Sequence, residues 1–120
     1  MPNHSFLLYV DDPLKSAEFY EKFLRTKPVE ASPGFAMFVL NPTTILGLWK
    51  RADVMPKATA PAGCGEVGFQ FESKEDVDKF FASSEALAIT VLQKPTLMDF
   101  GYTFTLADPD GNRLRVFAAG

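Results

Sequence analysis

Apolar and polar residues alternate with a period of two at residues 5–10 and again at 66–71, and in both places the alternation gives way to an acidic residue and then to a helical period. Strand side chains alternate between two faces while helical ones repeat every 3.6 residues, so each stretch predicts a strand leading into a helix. Asp12 before Pro13 has the order of an N-cap and first helical position, where the missing N–H costs nothing. Ser73, with Asp76 three residues on, resembles a capping box. The two stretches also overlay on each other. "SFLLYVDDPLKSAEFY" (5–20) lies over "EVGFQFESKEDVDKFF" (66–81) at a shift of 66 − 5 = 61, with the aromatic steps Phe19-Tyr20 and Phe80-Phe81 in similar places.

The later part of each half matches as well. "GFAMFVLNPTTILGLW" (34–49) and "GYTFTLADPDGNRLRVF" (101–117) both predict strand, Asx-Pro turn, strand, with the first turn one residue shorter. In Asp108-Pro109-Asp110-Gly111-Asn112 the proline fixes φ, Gly111 can take φ > 0 and the Asx side chains can bond their own backbone, so the chain reverses there. With weaker strands near 27–31 and 89–93, each half reads β-α-β-β-β. The expectation is an α+β fold in a single domain, 1–120: one module at about 1–51, a Pro-, Ala- and Gly-rich linker at 52–65, and a second module at about 66–120.

A chain of 120 residues buries roughly 65% of its unfolded surface, and 47% hydrophobic residues, twelve of them Phe, supply the core. A net charge of −3 argues against nucleic acid as a partner, since phosphate binding needs clustered Lys and Arg. The apolar run Phe6-Leu7-Leu8-Tyr9-Val10 is far too short to span a bilayer and reads as a strand, so no membrane partner is expected. A single cysteine, Cys64, cannot form an internal disulfide, which fits a cytoplasmic location, and with the only histidine, His4, far away in sequence it makes a poor nucleophile.

A duplicated βαβββ unit of about 60 residues, opening on "YVDDPLKSAEFYEKFL" and closing on "DPDGN" before a last strand, resembles the vicinal oxygen chelate superfamily of glyoxalases, bleomycin-resistance proteins and dioxygenases. The resemblance spans the chain and implies two modules whose curved sheets surround a cup. Enzymes of that superfamily hold a divalent metal in the cup. The positions that correspond to their ligands are Ser5, Glu66, Arg115 and one near Gly47, with His4 one residue out of register and therefore on the opposite face. A guanidinium has no lone pair to offer and would repel a cation, so no metal and no cofactor are expected. On this reading Arg115 and Glu66 sit on neighbouring strands, facing the cup, where the arginine replaces the metal's charge.

Alternation carried through the repeat lines the cup with Ser5, Leu7, Tyr9, Glu66, Gly68, Gln70, Thr103, Thr105 and Phe117, and places Phe38 opposite the Thr105 position and Trp49 opposite Phe117. Phe6, Phe69, Phe71, Phe80, Phe81 and Phe104 are assigned to the core. Gly47 and Gly68 would leave space, and the stretch 95–102, "PTLMDFGY", reads as a loop bringing Met98 and Phe100 to the mouth as a lid. Tyr9, Phe38, Trp49, Glu66, Met98, Phe100, Thr103, Thr105, Arg115 and Phe117 are thus the candidate ligand contacts, with no catalytic residue among them. Aromatic walls with a few polar points suit a planar aromatic molecule. "EDVDKFF" and "DFGYTFTLADPDGNRLRVF" are most similar to the phenazine-resistance branch, which implies a homodimer that sequesters an antibiotic without turning it over. The competing reading is an enzyme of the same superfamily, a lyase or isomerase with or without metal.

Overall fold

The computed structural model describes residues 3–119, and the chain divides between Cys64 and Gly65 into two units. In the first, Asp12 caps the opening helix: its Oδ1 accepts from the Leu14 and Lys15 amides at 3.2 and 3.3 Å, satisfying donors that no earlier turn can take. This helix, α1 (Pro13–Leu24), follows β1 (His4–Val10) and precedes β2 (Glu30–Ala31), β3 (Phe35–Asn41) and β4 (Thr44–Lys50). The sheet order is β1-β4-β3-β2. β1 runs parallel to β4, with Leu7 opposite Gly47 and Tyr9 opposite Trp49, while β3 is antiparallel to β4. The weak strand expected over 27–31 reduces to Glu30–Ala31.

One face of this sheet packs under α1. Tyr20 and Phe23 from the helix are buried with Val10, Phe38, Leu46 and Leu48 from the strands, and the Tyr20 and Phe38 rings lie 6.3 Å apart. Phe38 is therefore a correction to the sequence reading, because it faces the helix and not the side that carries Trp49. The reason is a misplaced residue in the repeat. Residues 40–44 separate Val39 from its partner Ile45, just as residues 108–112 separate Ala107 from Arg113, so the turn is not the shorter part and β3 shifts by one. Phe35 and Met37 take the face assigned to Phe38, opposite Trp49 and Gly47. Phe6 is a second correction: it is 56% exposed, since α1 packs chiefly on β3 and β4 and leaves the start of the edge strand β1 uncovered.

Beyond β4 a single 3-10 turn, Arg51–Asp53, leads into the linking stretch. Arg51 ties that stretch back, with Nε donating to the Ala60 carbonyl at 2.7 Å and Nη2 to that of Ala58 at 3.4 Å. Cys64 is exposed.

The second unit runs β5 (Glu66–Phe71), α2 (Lys74–Ala86), β6 (Val91–Met98), β7 (Gly101–Ala107) and β8 (Arg113–Ala119), in sheet order β5-β8-β7-β6. Ser73 Oγ caps α2 by accepting from the Asp76 amide at 3.1 Å. Phe80 and Phe81 pack on Phe71 and Phe104 with ring centroids 5.1 Å apart in the Phe71–Phe80 and Phe81–Phe104 pairs; Phe104 is fully buried, while Phe71, Phe80 and Phe81 are half-buried and not the full core residues expected. The stretch 95–102 is not a loop. β6 extends to Met98, and only Asp99 and Phe100 turn the chain into β7. At the turn's end Gly101 takes φ +147°, where a Cβ would collide with the Ala118 carbonyl, so the tight hairpin strongly favours glycine there. No helix among the described residues is long and apolar enough to cross a membrane.

Candidate functional site

The Asp-Pro-Asp-Gly-Asn turn sets the geometry of the second unit's open face. Asp108 Oδ1 accepts from the Asp110 and Asn112 amides at 2.9 and 2.8 Å, and Asp108 Oδ2 accepts from Asn112 Nδ2 at 3.0 Å. Asn112 Oδ1 accepts in turn from the Gly65 amide at 2.9 Å, and the Arg113 amide donates to the Gly65 carbonyl at 2.8 Å. The turn thus pins the start of β5 to the start of β8. From there the parallel register sets Glu66 beside Arg113 and Gly68 beside Arg115, so Glu66 and Arg115 lie diagonally across one face.

They bond directly. Arg115 Nε lies 3.0 Å from Glu66 Oε2, a charge-assisted contact between side chains 19% and 42% exposed. Arg115 Nη1 donates to Gln93 Oε1 at 3.3 Å and to Thr103 Oγ1 at 3.4 Å, and the Phe100 ring centroid is 5.7 Å from the guanidinium carbon. Thr105 Oγ1 donates to the same Gln93 oxygen at 3.3 Å, Thr103 Oγ1 donates to the Val116 carbonyl at 2.9 Å, and Gln93 Nε2 lies 3.4 Å from Met98 Sδ. Thr103 and Thr105 are buried, and among the described residues no buried side-chain polar atom lacks a partner. Phe100 closes edge-on against Phe117, with centroids 6.0 Å apart. The second unit therefore brings Glu66, Phe100, Thr103, Thr105, Arg115 and Phe117 onto one face, with Met98 beside Gln93.

Gln93 is the residue that sequence reasoning missed. It lies on β6 opposite Thr105, which joins it to Arg115; the available signal was the alternation of that strand, read only as far as residue 93.

The first unit presents an apolar counterpart. Tyr9 and Trp49 meet edge to face at 6.3 Å on the side of the sheet away from α1. The space expected at Gly47 is filled: a Cβ there would run into the Leu7 side chain and meet Phe35 Cζ at 3.0 Å. Gly68 differs, since a Cβ there would make only ordinary contact with Phe117 at 3.5 Å.

A model of the Glyoxalase/Bleomycin resistance protein/Dioxygenase superfamily matches residues 3–116. The chain belongs to this superfamily. It is 31% identical over 113 residues to the phenazine antibiotic resistance protein EhpR of Enterobacter agglomerans, covering 92% of this chain and 86% of that relative. A protein of Agrobacterium tumefaciens solved in solution is 48% identical, with 100% of this chain and 98% of that one covered and a TM-score of 0.86. A lactoylglutathione lyase of the same organism, 23% identical at a TM-score of 0.80 over 96% of this chain and 91% of that one, shares the fold.

At the positions that the resemblance assigns to the divalent metal of superfamily enzymes, the donors present here do not fit one. Ser5 offers a neutral hydroxyl, Gly47 offers nothing, Arg115 offers a positive charge, and Glu66 already accepts from that charge. Among the described residues no three His, Cys, Asp or Glu side chains are grouped so as to hold a cation.

Proposed function

We propose that this protein binds and sequesters a planar aromatic small molecule of the phenazine kind, conferring antibiotic resistance by binding rather than turnover, and that it does so in the cytoplasm as a homodimer. The observation that carries the reading is Arg115, fixed by Glu66 at 3.0 Å on a face that also holds Phe100 and Phe117. Similarity to the Enterobacter agglomerans resistance protein supports the choice of ligand class. The proposed contacts are Tyr9 and Trp49 in the first unit, and Glu66, Met98, Phe100, Arg115 and Phe117 in the second, while Thr103 and Thr105, expected as contacts, are buried and support Arg115 and Gln93 from behind. Aromatic rings supply stacking, each worth about 0.5–1.5 kcal/mol beyond the area buried, while the polar cluster orients the ligand.

The test uses the single tryptophan, Trp49. Phenazines titrated into the purified protein should quench its fluorescence saturably and be recovered unchanged after prolonged incubation. Conversion of the compound, or of any substrate of a superfamily lyase or isomerase, would replace this reading with the enzymatic one.

A further inference from the structure

Arg115 does not present a bare charge. Its Nε is held by Glu66 Oε2 at 3.0 Å, so guanidinium and carboxylate together are neutral, and Nη1 is taken by Gln93 Oε1 at 3.3 Å and Thr103 Oγ1 at 3.4 Å. Two polar atoms of the cluster make no hydrogen bond among the described residues: Arg115 Nη2, which can only donate, and Glu66 Oε1, which can only accept. Both side chains keep some exposure, 19% and 42%, on the face that carries Phe100 and Phe117.

We infer that this pair selects a planar aromatic ligand bearing a neutral group with an acceptor and a donor side by side, such as a primary carboxamide or a lactam edge, and disfavours a carboxylate. The inference rests on the planar-aromatic reading above and narrows it. A carboxylate accepting from Nη2 would bring its negative charge next to Glu66, and that repulsion offsets the attraction to the guanidinium. A carboxamide can accept from Nη2 through its oxygen and donate its N–H to Glu66 Oε1, with no new like-charge contact. Gln93 is a positioning residue here: by taking Nη1 it fixes the plane of the guanidinium, and its own amide is held between Thr105 Oγ1 and Met98 Sδ.

Phenazine-1-carboxamide and phenazine-1-carboxylate are matched probes, to be compared by isothermal titration calorimetry on the whole chain at neutral pH. The carboxamide is expected to bind about tenfold tighter or better, the scale of one partly screened charge contact. Glu66→Gln keeps an acceptor for Nε but uncovers the charge of Arg115, so it should tighten the carboxylate about tenfold and cut the carboxamide's advantage by the same factor. Gln93→Leu should bring the ratio of the two affinities towards one, a readout that a purely structural role would not move. A parent protein that prefers the carboxylate, or binds both probes alike, overturns the inference and leaves the planar-aromatic reading standing, and that measurement needs no variant to fold. An unchanged ratio in Glu66→Gln overturns it too. If neither probe binds, both fall together.

Discussion

Trp49 is the residue on which the binding proposal is most exposed to refutation. It meets Tyr9 edge-on at 6.3 Å, on the face of β4 turned away from the α1 core. Trp49→Ala should remove stacking and buried area together, about 1–3 kcal/mol, or about 5- to 150-fold in affinity for a phenazine. Calorimetry giving the parental affinity would make the tryptophan a packing residue. On the opposite side of the second unit, Tyr102 donates to Asp78 Oδ1 at 2.7 Å, and that hydrogen bond, followed by some desolvation and the carboxylate's charge, raises the phenol above its ordinary value. Because the folded value is the higher one, the contact contributes at every pH below the usual tyrosine range and is lost as pH rises through the raised value. Absorbance titration should therefore place Tyr102 above the ordinary tyrosine range, and Asp78→Asn should lower it.

Elements, unlike single contacts, are held by the turn between β7 and β8. Asn112 is fully buried and joins Asp108 to the Gly65 amide, so Asn112→Ala strips the Gly65 amide of its acceptor and removes the donor to Asp108 Oδ2. A loss of about 1–3 kcal/mol in urea denaturation is expected, with weakened ligand binding because the same turn sets Glu66 against Arg115. Gly101→Ala should cost about as much again through its φ of +147° and the collision with Ala118, whereas Gly68→Ala, with ordinary contact to Phe117, should fold like the parent. These elements were legible to different depths. Alternation on β5 and β8, the helix caps and the Asp-Pro-Asp-Gly-Asn turn are local rules, so the helix starts and the strand carrying Arg115 could be read directly, while setting Glu66 against Arg115 took the resemblance to the superfamily. Phe38 could not, because its facing depends on where a one-residue difference between the halves is absorbed, which only the pairing of Val39 with Ile45 decides. Gln93 and the extent of β6 were hidden for a related reason: pairing with β7 carries the strand through Pro95 with two register shifts, a tertiary effect that propensity alone opposes.

At the scale of the whole molecule, β1 poses a problem that the chain does not solve within its own first unit. It is the edge strand of its sheet, and three of its residues, Phe6, Leu7 and Tyr9, interrupted by the buried Leu8, are 56, 46 and 38% exposed. An edge strand carrying this much apolar surface invites pairing with another chain unless something covers it. A second copy is the occupant that the homodimer proposal supplies, since a closed pair buries the same patch twice. Light scattering at micromolar concentration should then give a mass near 2 × 13.3 = 26.6 kDa. Phe6→Lys, placing a charge where one ring is most exposed and touching none of the proposed ligand contacts, should shift the population towards monomer while each unit keeps its helical and strand content by circular dichroism. A parent protein that stays monomeric under these conditions refutes the dimer, and a Phe6→Lys variant as dimeric as the parent moves the interface away from the start of β1.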